Sequence, residues 1–318
     1  MHTPSVLTVG NFDGVHLGHR AILAQAKQVA GDCGARVVAV TFDPHPVSVL
    51  KPGVIVPMLC ELDERGGLLK AAGADHVHVI ESTSRLLAES PDVFVRWLCE
   101  KFSPVVFVEG EDFRFGKDRV GDVHTLESLG RECGFDTVIT PAKQRTLTDQ
   151  LVTRVSSSLT RWLLRAGRVA DAAMCLDRPY GLATKVVVGD RRGRKIGFPT
   201  ANLDNETIVG RVVPANAVYA GYVALPDGAT RPAAISIGVK PTFGGKQQCV
   251  EAHLLDFDAD IYGQVISVRF GRWLRDQQKF PSLDALIAQL HRDVDKTRRL
   301  HDAGLLNSPA DERTALAG

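Results

Sequence analysis

The sequence predicts two domains of different fold class: an α/β domain with a parallel, doubly wound sheet, then a small antiparallel β-barrel with a C-terminal helix. The length of 318 residues corresponds to about two domains. In the first half, short apolar runs alternate with helical stretches, which is typical of a parallel sheet. In the second half, closely spaced short strands are separated by glycine- or proline-bearing turns, which favours an antiparallel barrel.

The first half is predicted to contain alternating strands and helices, read from apolar runs and from apolar residues at helical spacing. The predicted strands are 6–9, 37–42, 76–80, 105–109 and 137–139. The predicted helices are 20–30, 62–72, 91–101 and 125–133. A further helix is predicted over 156–166, with Ser156 or Ser157 as its N-cap. In such sheets, ligands bind beyond the carboxyl ends of the strands.

The second half is predicted to form the barrel and one closing helix, 282–300, with Leu283, Leu286, Ile287 and Leu290 on one face. The predicted barrel strands are 185–188, 217–224, 233–238, 249–255 and 265–270. The sequence Arg178-Pro179-Tyr180-Gly181 is the expected boundary between the domains. We therefore expect domains at 1–176, which includes the linker helix, and at 177–303. We expect a disordered tail at 304–318, whose last twelve or so residues are small and polar.

Composition narrows the class of protein. The formal net charge is +1, so no broad field attracts nucleic acid or a membrane surface. Six cysteines are scattered without a CxxC pair, which predicts reduced thiols in a cytoplasmic protein rather than disulfides or a zinc site. The N-terminus enters a strand without a signal peptide pattern, and no apolar run approaches the ~20 residues of a spanning helix. We expect small-molecule substrates and a monomer or weak homo-oligomer.

The stretch from Val9 to His19, VGNFDGVHLGH, carries the strongest chemical signal. It joins a predicted strand to a predicted helix through a glycine-rich turn, so free backbone N–H groups and a helix N-terminus point at one spot. Such a spot binds phosphate. His16 and His19 are placed there, and imidazole N–H groups can hydrogen-bond a phosphoryl oxygen as charge develops.

The HxGH pattern in this context resembles the nucleotidylyltransferase superfamily, and GNFDGVHLGH resembles its bifunctional bacterial riboflavin kinase/FAD synthetase branch. Further strings are similar to that family in the same order, from residue 5 to about residue 295. They are TFDPHP at 41–46, GEDFRFGK at 110–117, VSSSLTR at 155–161, GRKIGFPTAN at 193–202, PTFGG at 241–245 and VEAHLLD at 250–256.

For the first domain, the resemblance implies a Rossmann-like fold in which the FMN phosphate attacks the α-phosphorus of ATP and releases pyrophosphate. His16 and His19 would polarise the triphosphate, and Arg161 would hold its outer phosphates, since its planar fork pairs with oxyanions. The implied binding residues are Gly10, Asn11, Phe12, Asp13, Gly14, Gly18, Asp112, Ser156, Ser157 and Ser158.

For the second domain, the resemblance implies ATP-dependent phosphorylation of riboflavin to FMN, with FAD as the product of both steps. Thr200 and Asn202 would hold Mg²⁺ through oxygen ligands, and Glu251 would be the general base. On a strand, Glu251 alternates with Val250 and faces the opposite side. The implied nucleotide loop contains Gly189, Gly193 and Gly197.

Alternatives remain open at several positions. Thr184, Val188, Arg191, Ala217, Ser236 and Lys240 replace residues usual in the family. A Cβ where glycine is usual can force a strained φ. The alternatives are therefore a paralogue with one activity, an enzyme making another flavin dinucleotide, or a flavin-binding regulatory protein. His45 is either a turn residue or a site residue. His76 and His78 are read as surface residues rather than metal ligands.

Overall fold

In the computed structural model, which describes residues 3–189, 192–242 and 245–306, the chain forms two compact units. The first unit comprises Met1–Thr146 and Leu151–Ser157. The second comprises Leu147–Gln150 and Ser158–Gly318.

The first unit is built on a five-stranded parallel sheet in the order β3-β2-β1-β4-β5. Its strands are β1 (Ser5–Val9), β2 (Arg36–Asp43), β3 (His76–Glu81), β4 (Pro104–Gly110) and β5 (Asp136–Thr140). All five predicted strands are confirmed. The chain runs from β1 outward to β3 and then returns to place β4 on the other side of β1. The crevice of this fold therefore opens between β1 and β4, at their carboxyl ends.

The helices of the first unit are α1 (Leu17–Cys33), α2 (Pro46–Leu50), α3 (Leu62–Ala71), α4 (Ser84–Leu87), α5 (Pro91–Phe102) and α6 (Val123–Cys133). The four predicted long helices are confirmed. Helix α1 begins three residues before its predicted start of Arg20, because the side chain of His16 caps it. Helices α2 and α4 were not predicted, since five and four residues are too short to show helical periodicity.

Both faces of the sheet are buried, which explains the continuous apolar runs of its strands. Leu7 and Phe107 pack on one face with Phe94 and Leu126. Val6 and Val108 pack on the other face with residues of α1 such as Leu23. A short antiparallel pair, β6 (Gln144–Thr146) and β7 (Val152–Arg154), completes the unit.

The second unit contains a closed antiparallel barrel in the strand order β10-β11-β12-β9-β8-β13, as predicted. Its strands are β8 (Tyr180–Val187), β9 (Ala201–Leu203), β10 (Ala217–Ala224), β11 (Thr230–Thr242), β12 (Gly245–Leu254) and β13 (Val265–Asp276). Its helices are α7, which is Ser157–Arg165 and begins on the last residue of the first unit, α8 (Val169–Leu176), α9 (Arg192–Lys195) and α10 (Leu283–Asp302). Strand β9 was missed, because three residues carry no readable alternation.

Helix α10 begins after Ser282, whose side chain accepts a hydrogen bond from the Ala285 N–H. The predicted closing helix is confirmed. Of the four apolar residues predicted on one of its faces, Leu283 is 56% exposed. Asp293, which is buried, instead holds the helix to β13 through a two-pronged ion pair with Arg275. Leu306 is buried beyond the helix, so the folded part extends past residue 303. Residues 307–318 of the expected tail lie outside the described residues.

Candidate functional site

His16 fixes the geometry of the first site by capping helix α1. Its Nδ1 accepts hydrogen bonds from the backbone N–H groups of Gly18 at 3.1 Å and His19 at 3.4 Å. Because Nδ1 is an acceptor, the proton of the neutral ring belongs on Nε2. His16 therefore presents one N–H donor from a fixed ring at the N-terminus of a helix.

His19 stacks on His16, with ring centroids 3.6 Å apart, and the edge of Phe12 packs against it. Burial first, then the neighbouring His16 and Arg65, hold the pKa of His19 well below the usual 6.5. The ring is therefore uncharged at neutral pH. Its Nδ1 is buried and has no hydrogen-bond partner in the described part of the chain. The pair forms a platform of two aligned imidazoles.

Asp13 anchors the turn that carries the histidines. Its carboxylate is buried and accepts hydrogen bonds from the N–H groups of Leu59, at 2.9 Å, and Cys60, at 3.2 Å. The Cys60 sulfur in turn accepts the Gly14 N–H at 3.1 Å. Burial, followed by the charge of Asp13, raises the pKa of the Cys60 thiol to about 11, so it stays protonated. Asp13 thus fastens the turn to the chain at 59–60.

A cleft of about 540 Å³ lies at the carboxyl ends of the parallel strands. Eight of the predicted site residues in the first unit line it: Gly10, Asn11, Phe12, His16, His19, Asp112, Ser156 and Ser157. Asp13, Gly14 and Gly18 are not among its lining residues. Ser158 and Arg161 lie on α7 in the second unit.

Two residues at the cleft have local roles in addition. Asp112 forms an ion pair with Arg154, in which Oδ2 and Nη2 are 2.9 Å apart. His45 caps α2, since its Nδ1 accepts the Val47 N–H at 3.2 Å, and it also lines the cleft.

The ring centroids of His76 and His78 are 6.4 Å apart. No metal-binding cluster of His, Cys, Asp or Glu occurs among the described residues.

Sequence reasoning missed two buried ionisable residues near the cleft. Glu109, at the carboxyl end of β4, is 2% exposed, and its Oε1 accepts the Val9 N–H at 2.7 Å. Arg65 on α3 is also 2% exposed and donates to the carbonyl oxygen of Phe42 at 2.9 Å. The available signal for Glu109 was a carboxyl at the end of an otherwise apolar strand, VVFVEG.

The second site lies on adjacent barrel strands. Asn202 on β9 is directly opposite Glu251 on β12, and the Thr200 hydroxyl is 3.4 Å from Glu251 Oε2. Thr200, Asn202, Gly189 and Gly193 line a pocket of about 70 Å³, and Glu251 adjoins it through Thr200. Glu251 and Val250 alternate as expected, because Val250 is buried in the barrel and Glu251 is half-buried.

The glycines of the second site serve close packing as well as conformational freedom. A Cβ on Gly189 would lie 2.5 Å from the side-chain amide of Asn202, and one on Gly193 would lie 2.2 Å from the Phe198 carbonyl oxygen. Both distances are shorter than any real Cβ contact. Gly197 has φ of +84°, which favours glycine.

The positions that depart from the family pattern show no backbone strain where they are described. Thr184 lies within β8, and its hydroxyl donates to the Asp204 carbonyl oxygen at 3.2 Å. Ala217 and Ser236 lie within strands, and none of these three has a positive φ. Ser236 pairs with Glu251 in register and accepts a hydrogen bond from Gln277. Val188 is exposed. Arg191 and the side chain of Lys240 lie outside the described residues.

Comparison with known proteins gives two family matches. A family described as FAD synthetase matches residues 1–158, and one described as riboflavin kinase matches residues 176–301. Two curated relatives are described as bifunctional riboflavin kinase/FMN adenylyltransferase. The one from Escherichia coli (strain K12) is 37% identical and covers 91% of this chain and 90% of its own length. The one from Bacillus subtilis (strain 168) is 33% identical, with 93% and 92% covered.

A solved structure resembles nearly the whole chain. It is described as a macrolide-efflux protein from Streptococcus pneumoniae, is 28% identical, and matches with a TM-score of 0.86 over 94% of this chain and 95% of that one. The likeness extends over both units. Within the described residues, no helix combines the length and apolar character needed to cross a membrane.

Proposed function

Because this chain belongs to the family of bifunctional riboflavin kinases/FMN adenylyltransferases, we propose that it makes flavin cofactors in two ATP-dependent steps. The barrel unit phosphorylates riboflavin to FMN, and the parallel-sheet unit adenylylates FMN to FAD with release of pyrophosphate. The observation that carries the proposal is the stacked pair of His16 and His19 at a helix N-terminus, which opens onto the cleft.

Adenylyl transfer needs positioning and charge stabilisation more than covalent chemistry. A phosphate oxygen of FMN bonds to the α-phosphorus of ATP, and the bond from that phosphorus to the bridging oxygen breaks, so pyrophosphate leaves. His16 and His19 donate N–H groups to phosphoryl oxygens, and the N-terminus of α1 adds its dipole. Arg161 and the serines at 156–158 hold the departing phosphates, and the binding residues named from the family complete the site.

Phosphorylation of riboflavin needs a base for the ribityl hydroxyl. Glu251 accepts that proton while the hydroxyl oxygen bonds to the γ-phosphorus of ATP and ADP leaves. The proposal is supported by the half-buried position of Glu251 beside the Thr200 hydroxyl. Gly189, Gly193 and Gly197 let the nucleotide loop pack closely around the site.

We propose Mg²⁺ as the metal of the barrel site. The Thr200 hydroxyl and the Asn202 amide oxygen are hard oxygen donors that line one pocket, and Mg²⁺ prefers such donors with phosphate oxygens and water. When bound there, the ion neutralises charge on the phosphates. Glu251, whose Oε2 is 3.4 Å from the Thr200 hydroxyl, takes the proton of the ribityl hydroxyl.

We further propose the functional domains 1–176, which includes α7 and α8, and 177–303, with a folded part that extends to the buried Leu306. Small molecules are the partners, with no nucleic acid and no membrane. A cytoplasmic location is supported by the six cysteines, all of them described, which form no disulfide bond, and we propose a monomer or weak homo-oligomer.

The test is an assay of the purified chain with riboflavin, Mg²⁺ and each nucleoside triphosphate in turn, the products being separated by chromatography. We expect FMN and then FAD with ATP. Supplied FMN should give FAD and pyrophosphate without riboflavin. If neither FMN nor FAD forms, the proposal is refuted. If only one of the two reactions occurs, the chain has that single activity.

A further inference from the structure

Glu109 occupies the point where the two central strands of the parallel sheet separate. The register of β1 with β4 ends at Leu7 opposite Phe107. Beyond it, the Val9 N–H donates to the Glu109 side chain at 2.7 Å. A carboxyl oxygen thus takes the place of a backbone carbonyl at the strand separation that opens the cleft.

The second carboxyl oxygen, Oε2, has no hydrogen-bond partner within the described ranges, although the side chain is 98% buried. Glu109 and Phe107 are two residues apart on β4, so their side chains face the same side of the sheet. On this side, the cleft is walled mainly by apolar and aromatic side chains: Val9, Phe42, Leu86, Phe94, Phe113 and Phe115. No arginine, lysine or histidine of the described chain forms an ion pair with Glu109. Its free oxygen therefore lies at the apolar end of a ligand cleft.

The protonation state decides what this oxygen offers. Burial raises the pKa of Glu109 well above its usual value, and the Val9 N–H lowers it only in part. The shift favours the uncharged carboxylic acid over the carboxylate. Oε1 accepts the Val9 N–H as the carbonyl oxygen, so the proton belongs on Oε2. A buried carboxylic acid of this kind acts as a hydrogen-bond donor.

We propose that Glu109 is a specificity-determining residue of this cleft, whose Oε2 donates a hydrogen bond to an acceptor on the edge of a bound heteroaromatic ring. The proposal rests on the adenylyltransferase function proposed above and adds the recognition of one substrate's ring. Phe113 and Phe115, which stack with centroids 5.1 Å apart, flank the same space. A flat aromatic ring fits there, with its edge directed to the carboxyl group.

Two substrate rings share this chemistry. Adenine carries ring nitrogens that accept hydrogen bonds, and the isoalloxazine of FMN carries carbonyl oxygens and ring nitrogens that do the same. Guanine presents an N–H donor where adenine presents the N1 acceptor. The test therefore measures the response to each substrate separately.

The experiment compares Glu109→Leu with Glu109→Gln in the full chain. Leucine removes both the ring donor and the acceptor for Val9. Glutamine keeps an acceptor for Val9 and an N–H donor toward the cleft. We expect Glu109→Leu to raise KM for one substrate of FMN adenylylation about tenfold, the scale of one lost hydrogen bond, and Glu109→Gln to raise it about threefold or less. A rise for FMN assigns the isoalloxazine, and a rise for ATP assigns adenine.

The matched controls are Glu132→Leu and Glu132→Gln, which change an exposed carboxylate paired with Arg96 on the same unit and should leave both KM values unchanged. The proposal is overturned if Glu109→Leu keeps both KM values, if only kcat falls, or if the glutamine variant is impaired as strongly as the leucine variant. Wild-type protein that makes no FAD would instead refute the proposed function.

A second measurement does not depend on the folding of Glu109→Leu. The infrared spectrum of the wild type minus that of Glu109→Gln should contain the C=O stretch of a protonated carboxylic acid. Addition of either FMN or ATP should shift this band, and the substrate that shifts it identifies the ring. No such band, or a band that neither substrate shifts, would overturn the proposal.

Discussion

The cleft of the parallel-sheet unit and the pocket of the barrel unit are built from different kinds of donor. In the cleft, two stacked imidazoles lie at the start of α1, where the Gly18 and His19 N–H groups donate to His16 Nδ1. In the barrel, a hydroxyl, an amide and a carboxylate come together from β9, β12 and the turn before β9. The first arrangement stabilises negative charge directly. The second supplies hard oxygen ligands and a base.

The supporting residues differ in the same way. In the parallel-sheet unit, the Asp13 carboxylate accepts hydrogen bonds from the Leu59 and Cys60 N–H groups and so fixes the turn. In the barrel, Gly189 supports the site by having no side chain, because Asn202 occupies the space where a Cβ would lie. The two sites should therefore respond to different substitutions, and each unit provides an internal control for the other.

The largest effect is expected for Glu251→Gln, which keeps the size and hydrogen-bonding ability of the side chain but cannot accept the proton. Riboflavin phosphorylation should fall by about 10²- to 10⁴-fold. Conversion of supplied FMN to FAD should persist, because that chemistry belongs to the other unit. Unchanged phosphorylation would exclude the base role, and parallel loss of FAD formation would indicate damage to the whole chain.

A comparable separation in the opposite direction is expected for His19→Ala. Loss of one fixed N–H donor should reduce FAD formation by about 10²-fold or more, while riboflavin phosphorylation continues. Both rates can be followed on one preparation by chromatography. Formation of FAD at the wild-type rate would refute the assignment of the first site.

Gly189→Ala tests the packing that places Asn202. The added Cβ would have to displace the amide by about an ångström, and misplacement on that scale lowers rates by about 10- to 100-fold. Riboflavin phosphorylation should fall within this range, and the apparent affinity for Mg²⁺ should weaken. Gly238→Ala is the matched control, because its Cβ would meet its nearest neighbour at 3.7 Å. Equal effects of the two substitutions would contradict the packing argument.

The parallel sheet could be predicted from the sequence because its strands are buried on both faces and leave continuous apolar runs. The barrel could be predicted from its strand spacing, although β9 is too short to register. The orientation of polar side chains was less accessible. Asp13 lies within a glycine-rich turn of the kind that binds phosphate. The sequence motif does not show whether its carboxylate faces a ligand or accepts a hydrogen bond from the Leu59 N–H, as it does here. Glu109 and Arg65 were missed because charged residues are normally exposed, and their burial depends on tertiary contacts.

The units can also be compared as isolated fragments. A fragment of residues 179–303 should fold, since the barrel and α10 form one core, but a fragment of residues 158–306 should be more stable. The longer one keeps α8, where Leu176 is buried, and the buried Leu306. Burial of these two side chains contributes about 3 kcal/mol or more. Urea unfolding of both fragments measures the difference, and equal midpoints would show that neither segment supports the barrel.

The smallest expected effect concerns acid. Since the pKa of folded His19 lies well below 6.5, the unfolded chain binds a proton there that the folded chain does not. The free energy of unfolding should therefore fall as the pH decreases from 6.5 toward the lowered pKa, with no contribution above 6.5. His19→Gln removes this site and leaves the other ionisable side chains in place. Between pH 7.5 and 5.5, the free energy of unfolding should decrease more for the wild type than for the variant. The reason is that unfolding of the wild type takes up as much as about one additional proton, at His19. Parallel unfolding curves for the two proteins across this range would mean that His19 becomes protonated in the folded chain as readily as in the unfolded chain, and that its stacking on His16 does not keep the ring neutral.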